Sequence, residues 1–162
     1  MNEQKQLPND KKELLEGRNY EMYNLDVIRK VFPRIIAEIQ ANHGRNQRKF
    51  QSRDLIALYF YLLSYVDGNY LRKDGTQNER FGAAFPSVAR IKSALGIDEK
   101  RIPKLVGILV ANGLISETRD HWDGTRRAKW YFVSFCPRIT DDGYLVSENG
   151  EIIEPNFSDY GV

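Results

Sequence analysis

The side chains able to do chemistry in this chain are mainly cations, and they fall into groups. Lys100, Arg101 and Lys104 lie close together, and on a helix Arg101 and Lys104, three apart, share a face. Arg119, Arg126, Arg127 and Lys129 form a second group. Such residues neutralise phosphates, and an arginine or lysine can donate to O6 and N7 of guanine, the commonest base-specific contact. Ser87 adds a hydroxyl that can donate to a phosphate or cap a helix. Arg45, Arg48, Lys49 and Arg53 form a third basic run without an acid, read either as a solvated loop or as an extra phosphate clamp.

Other chemistries lack their residues. The single cysteine, Cys136, excludes a disulfide framework and a multi-cysteine zinc site, and its place beside Pro137 at a strand end predicts a buried thiol. The two histidines, His43 and His121, are far apart, so no metal or nicking site is built from them, and His121 reads as a surface residue. There is no Gly-rich phosphate loop carrying Lys-Ser or Lys-Thr. Asp141-Asp142, Asp120 and Asp123 read as turn formers. The chain is therefore expected not to be an enzyme, with no cofactor and no metal. No apolar run reaches transmembrane length and no signal-peptide core follows the polar start, which predicts a cytoplasmic protein with no membrane partner.

The charge is uneven. The whole chain of 162 residues holds 24 basic and 22 acidic residues, net +2. Residues 87–138 carry 10 basic and 5 acidic residues, whereas 139–162 carry 6 acidic and none basic. A basic middle followed by an acidic end suggests a polyanion-binding unit with a separate acidic appendage.

Elements must position these charges. Residues 1–18 read as a frayed polar tail with a short helix at 11–16. From Leu25 to Ala41, Val27, Ile28, Val31, Phe32, Ile35, Ile36 and Ile39 recur at helical spacing, with Pro33 predicting a kink or two shorter helices. Ser52 is a plausible N-cap for Leu55–Val66, apolar on nearly every side and so a central helix; Tyr59, Phe60, Tyr61 and Tyr65 on it read as core. Asp67–Phe81 reads as a long loop. Ser87 then caps a short helix with Val88, Ile91 and Leu95 buried, Gly96 stops it, Ile97 buries in the turn and Asp98 caps a second helix. That helix buries Ile102, Leu105, Val106 and Leu109 and ends at Gly113. Two helices joined by a tight glycine turn make a helix-turn-helix. Strands at Leu114–Arg119 and Ala128–Phe135 flank an Asp123-Gly124 turn; near its tip Trp122 reads as hydrophobic support for the hairpin or as a stacking side chain. Tyr144–Val146 and Glu151–Ile153 flank Asn149-Gly150, a hairpin signal in the acidic end.

The run Phe85-Pro86-Ser87, Ile91, Leu95-Gly96-Ile97-Asp98, Leu109 and Asn112-Gly113-Leu114-Ile115 resembles the winged helix-turn-helix domains of phage and plasmid replication initiators and related bacterial regulators. There a YPS start leads into LA..LG.S...V...I..L...GLI, and the resemblance covers about residues 52–135. This chain departs from the pattern at Pro103, which favours a helix starting near Arg101, and at Ile108 and Ala111, where the family is usually polar. These two are expected to pack on the N-terminal helices or a second subunit, or to be scattered surface residues.

The resemblance implies a mainly α fold with a small β wing: a winged helix-turn-helix with extra N-terminal helices and an acidic C-terminal tail. The expected parts are a flexible tail (1–19), a helical extension that dimerises (20–50), the winged domain (51–137) and the acidic tail (138–162) with a short hairpin. The expected function is sequence-specific binding of double-stranded DNA, in transcription regulation or in initiation of replication or transfer. Lys100, Arg101 and Lys104 would enter the major groove, with Ser87, Arg119, Arg126, Arg127 and Lys129 on backbone or minor groove. A homodimer is expected, joined through the Leu25–Ala41 helices. The rival expectation is a protein-interaction module of a replication or conjugation complex, with the acidic tail recruiting a protein.

Overall fold

The computed structural model describes residues 11, 19–43 and 52–160. Apart from Lys11, the N-terminal tail and its short helix, and the cations Arg45, Arg48 and Lys49, lie outside the described residues. The first element is a single π-type turn, Val27–Val31, closed by the Phe32 N–H donating to the Val27 carbonyl. It leads into α1, Phe32–His43. Pro33 has no N–H to offer the Arg29 carbonyl, and the widened turn takes up that missing bond in place of a sharp kink. Helix α2, Ser52–Ser64, is the central one: Leu55, Leu58, Tyr59, Leu62 and Leu63 are buried, while Tyr65 just beyond it is 53% exposed. The segment 67–81 is a built loop, pinned by bridges Asp67↔Phe81 and Leu71↔Gln77.

Strand β1, Ala83–Ala84, is fully buried. Helices α3, Val88–Leu95, and α4, Ile102–Ala111, follow. Strands β2, Ile115–Asp123, and β3, Arg126–Val133, complete a three-stranded antiparallel sheet ordered β1-β3-β2. A short ladder of β4, Arg138–Ile139, and β5, Leu145–Val146, comes next, and a 3-10 turn at Phe157–Tyr160 ends the described chain. The hairpin expected around Asn149-Gly150 is present in small form, with Val146 bridging Ile152 and the Gly150 N–H donating to the Ser147 carbonyl.

The expectation of a mainly α fold does not hold. Helix covers 40% and strand 21% of the described residues. The difference lies in three places. The hairpin strands run straight into the Gly124-Thr125 turn, with Asp123 paired to Arg126, where a loop over 120–127 was expected. Ala83-Ala84 pairs with Phe132 and Tyr131, and alanine gives no β signal in a sequence. The C-terminal segment adds its own ladder.

Val27, Val31, Phe32, Ile35 and Ile39 belong to the same core cluster as α2, α4, the sheet, Leu145 and Tyr160. The apolar stripe of the N-terminal helices is thus spent largely inside the chain. The acidic C-terminal segment is likewise no separate appendage. It is tied down by a buried polar cluster. Arg34 Nη1 donates to both Glu38 carboxylate oxygens (2.8 and 2.9 Å), Nη2 to Asn112 Oδ1 (2.9 Å) and Nε to the Gly143 carbonyl (2.9 Å). The Tyr160 hydroxyl donates to Glu38 at 2.5 Å, and the Arg34 guanidinium lies 4.0 Å from the centre of the Tyr144 ring.

Gly143 is required where this segment crosses the turn before α1. Its φ is 87°, and an added Cβ would stand 2.6 Å from the Lys30 carbonyl oxygen. Gly143→Ala is expected to destabilise the protein by about 2–3 kcal/mol, read from the urea midpoint at unchanged slope.

Burial pushes the Tyr59 and Tyr160 hydroxyls well above the usual tyrosine range, and hydrogen bonding to Glu38 raises Tyr160 further. A phenol that holds its proton more tightly when folded adds stability below the unfolded value of about 10, and this is lost as pH rises beyond it. Urea midpoints should therefore fall above about pH 10, and less steeply in Tyr160→Phe; an unchanged midpoint into strong alkali would contradict this.

Candidate nucleic-acid interface

The two helices meet as the sequence predicts at their junction. Ser87 caps α3, its hydroxyl accepting from the Arg90 N–H at 3.1 Å. Gly96 closes α3 in the left-handed conformation, with φ 68°, and Ile97 is buried at 1% exposure. Asp98 differs from expectation. Its carboxylate accepts from the Lys100 N–H within the turn, and α4 begins later, at Ile102, with no side-chain cap and Pro103 in its first turn.

Helix α4 buries Ile102, Leu105, Val106, Ile108 and Leu109. Ile108 is thus a residue of the chain's own core, and Ala111 is half-buried. What remains outward is Pro103, Lys104, Gly107 and Val110. The face expected to read bases is small and largely apolar, with one cation. It forms one wall of a groove of about 820 Å³. Val88, Pro103, Gly107 and Val110 line the helical side, and Thr118, Arg127, Lys129 and Tyr131 the hairpin side. Burial, then the Asp120 carboxylate, raises the Tyr131 hydroxyl above its ordinary value.

The predicted cations separate on inspection of their partners. Arg101 does not face outward as expected: Nη1 donates to Asp54 in the first turn of α2 at 2.6 Å, and Nη2 is buried with no partner among the described residues. Arg119 is ion-paired with Glu117 at 2.8 Å and lies over the Phe132 ring. Arg127 reaches Asp120 at 3.3 Å. Lys100, Lys104, Arg126 and Lys129 are exposed and make no ion pair among the described residues. Arg53, the described member of the third basic run, is exposed at the start of α2.

Strand alternation splits the hairpin cations further. The register pairs Trp122 with Arg127, Asp120 with Lys129 and Thr118 with Tyr131, so Arg127 and Lys129 share the groove face. Arg119 and Arg126 point to the opposite face, with His121, Trp130 and Phe132. Ser87, Arg127 and Lys129 come together in the groove; Arg119 and Arg126 do not join them.

That opposite face went unread in the sequence. His121 stacks on Trp130 with ring centres 4.3 Å apart and planes 19° apart, and Phe85 lies 6.1 Å from Trp130. The Arg80 guanidinium lies 5.4 Å from the Phe85 ring centre. Phe132 and Trp130, two apart in β3, carried a usable signal of a shared face; Arg80, in a loop, carried none. Trp130, 3% exposed, is the hydrophobic support of the hairpin, whereas Trp122 is 62% exposed. Cys136 is exposed, not buried as expected.

No three His, Cys, Asp or Glu side chains converge to hold a metal ion among the described residues. Nor is any helix among them long and apolar enough to cross a membrane. Comparison with protein-family models, with curated proteins and with solved structures finds no match to this chain.

Because Arg101 is held by Asp54, its loss should act on stability more than on ligand binding. Arg101→Ala is expected to cost about 1 kcal/mol, the partly exposed pair being partly screened, and to shift the thermal midpoint by a few degrees. A loss of DNA affinity with no change in melting would instead place Arg101 at the interface.

Proposed function

We propose that the protein binds double-stranded DNA, with α4 and the groove face of the hairpin as its docking surface and phosphates as its main contacts. The observation that carries this reading is unneutralised charge. Asp54, Glu117 and Asp120 are each taken by an arginine, while Lys100, Lys104 and Lys129 are left unpaired among the described residues, in a stretch of net +5. The order helix, turn, helix, hairpin is also that of the winged helix-turn-helix domains the sequence resembles. Gly107 and Ala111 let a groove edge approach α4 closely, but only Lys104 offers outward donors on it. Base reading therefore falls to Lys104 and Lys100, helped by the shape of the duplex. A homodimer on a two-fold or repeated site supplies the affinity one unit lacks. In this reading the protein is cytoplasmic and acts in transcription regulation or in initiation of replication or transfer, the roles the resemblance implies.

One observation favours a second reading. The apolar groove beside α4 suits a partner's side chains, so the same surface could serve a protein-interaction module.

Binding of a random duplex pool across a salt series separates the two. Each phosphate contact contributes a slope of about 0.9 in log K against log salt, so Lys129→Ala should flatten the slope by about 1. Lys104→Ala should relax whatever motif the wild type selects. Wild-type protein that binds no duplex at low salt would sink the DNA reading and leave the interaction module.

A further inference from the structure

We propose that the face of the hairpin turned away from the groove is a second nucleic-acid surface, a cleft that takes an unpaired nucleotide of single-stranded DNA. The proposal extends the DNA-binding reading and shares its premise that hairpin cations meet phosphates. The cleft has a volume of about 340 Å³ and lies between Arg80, Phe85, His121, Arg126 and Trp130. That is the lower end of the range for ligand sites, about 300–1,000 Å³, and suits one nucleotide better than a helix or a strand pair.

Three features select this occupant. The first is an aromatic surface already assembled: His121 lies flat on Trp130, and Phe85, 45% exposed, stands beside it with its plane tilted 38°. A large exposed ring next to a stacked pair offers a π-face at little further ordering cost, and bases stack on such faces whatever their identity. The second is charge. Arg80 and Arg126 line the cleft against the single carboxylate of Asp123. Arg80 and Arg126 make no ion pair among the described residues, so both are available to phosphate oxygens. The third is strandedness. A duplex hides its base faces in the stack, and only an unpaired base can present one to Phe85. Strand alternation puts this cleft and the groove on opposite faces of one hairpin, so a duplex and its single-stranded extension could be held together.

The test uses the full chain and measures anisotropy of a labelled single-stranded oligo-dT and, separately, of a blunt duplex. Phe85→Ala and Arg80→Ala should each weaken oligo-dT binding roughly ten-fold or more, and Arg80→Ala, whose side chain lies outside the groove, should leave duplex affinity unchanged. Phe85→Tyr, which keeps the ring, should restore binding. Oligo-dT binding by the wild type that is absent, or that is indifferent to Phe85→Ala, overturns the proposal. So does displacement of oligo-dT by polyglutamate as effective as by unlabelled oligo-dT, which would make the cleft a site for acidic peptide. Loss of duplex binding with oligo-dT binding intact would overturn the duplex reading alone and leave the cleft standing.

Discussion

Arg34 sits where three distant stretches of chain meet, and the placement of α4 depends on how that cation is satisfied. Its guanidinium donates to Glu38 on its own helix, to Asn112 at the end of α4 and to the Gly143 carbonyl in the acidic segment. The Arg34 and Glu38 side chains are only 10% and 14% exposed. A charge that far from water is tolerated only when paired and hydrogen-bonded, and removing one partner costs several kcal/mol. Asn112, fully buried, uses both ends of its amide: Oδ1 accepts from Arg34, and Nδ2 donates to the Ile108 carbonyl. Tyr160 completes the Glu38 shell. The C-terminal end of α4 is thereby locked to α1, and α4 can show the outside only what its buried stripe leaves over.

This constraint explains why the outer face of α4 is so plain. Its inner residues Ile102, Leu105, Val106, Ile108 and Leu109 are committed to the core, and Arg101 just before it is committed to Asp54. Lys104 is what remains to meet a ligand by hydrogen bonding. The hairpin then carries two of the four predicted cations left unpaired among the described residues, Arg126 and Lys129, and sends them to opposite sides because side chains alternate along a strand. Arg127 and Lys129 look into the groove; Arg126 looks into the aromatic cleft. One ribbon of chain therefore carries two chemically different surfaces.

Several parts of this arrangement were legible in the residues. The caps and stops of α3, the buried Ile97, the interior stripe of α4 and the central position of α2 follow from short-range rules of capping, glycine conformation and helical period, and each is found. What failed did so for physical reasons that act over distance. Asp120–Arg127 looked like a loop because its residues are polar, yet a two-residue turn lets polar residues pair as strands when one side faces water. Ala83-Ala84 has no strand signature, and β3 recruits it. Tyr160 and Gly143 lie in a run that reads by its charge as a solvated tail, but their role is set by the Arg34–Glu38 pair more than a hundred residues earlier.

By itself, the sequence determined the order of two short helices, a tight turn and a hairpin, and the stretch of basic charge. These are matters of composition and local periodicity, and they survive because neighbours along the chain are also neighbours in space. Only the tertiary structure decided which cations are free. An ion pair such as Arg101–Asp54, a strand register that sends Arg126 one way and Arg127 the other, and a cleft that joins Arg80 to Trp130 all bring together residues with no sequential relation. A charge can be counted in a sequence, but whether it is already neutralised depends on what the fold sets beside it.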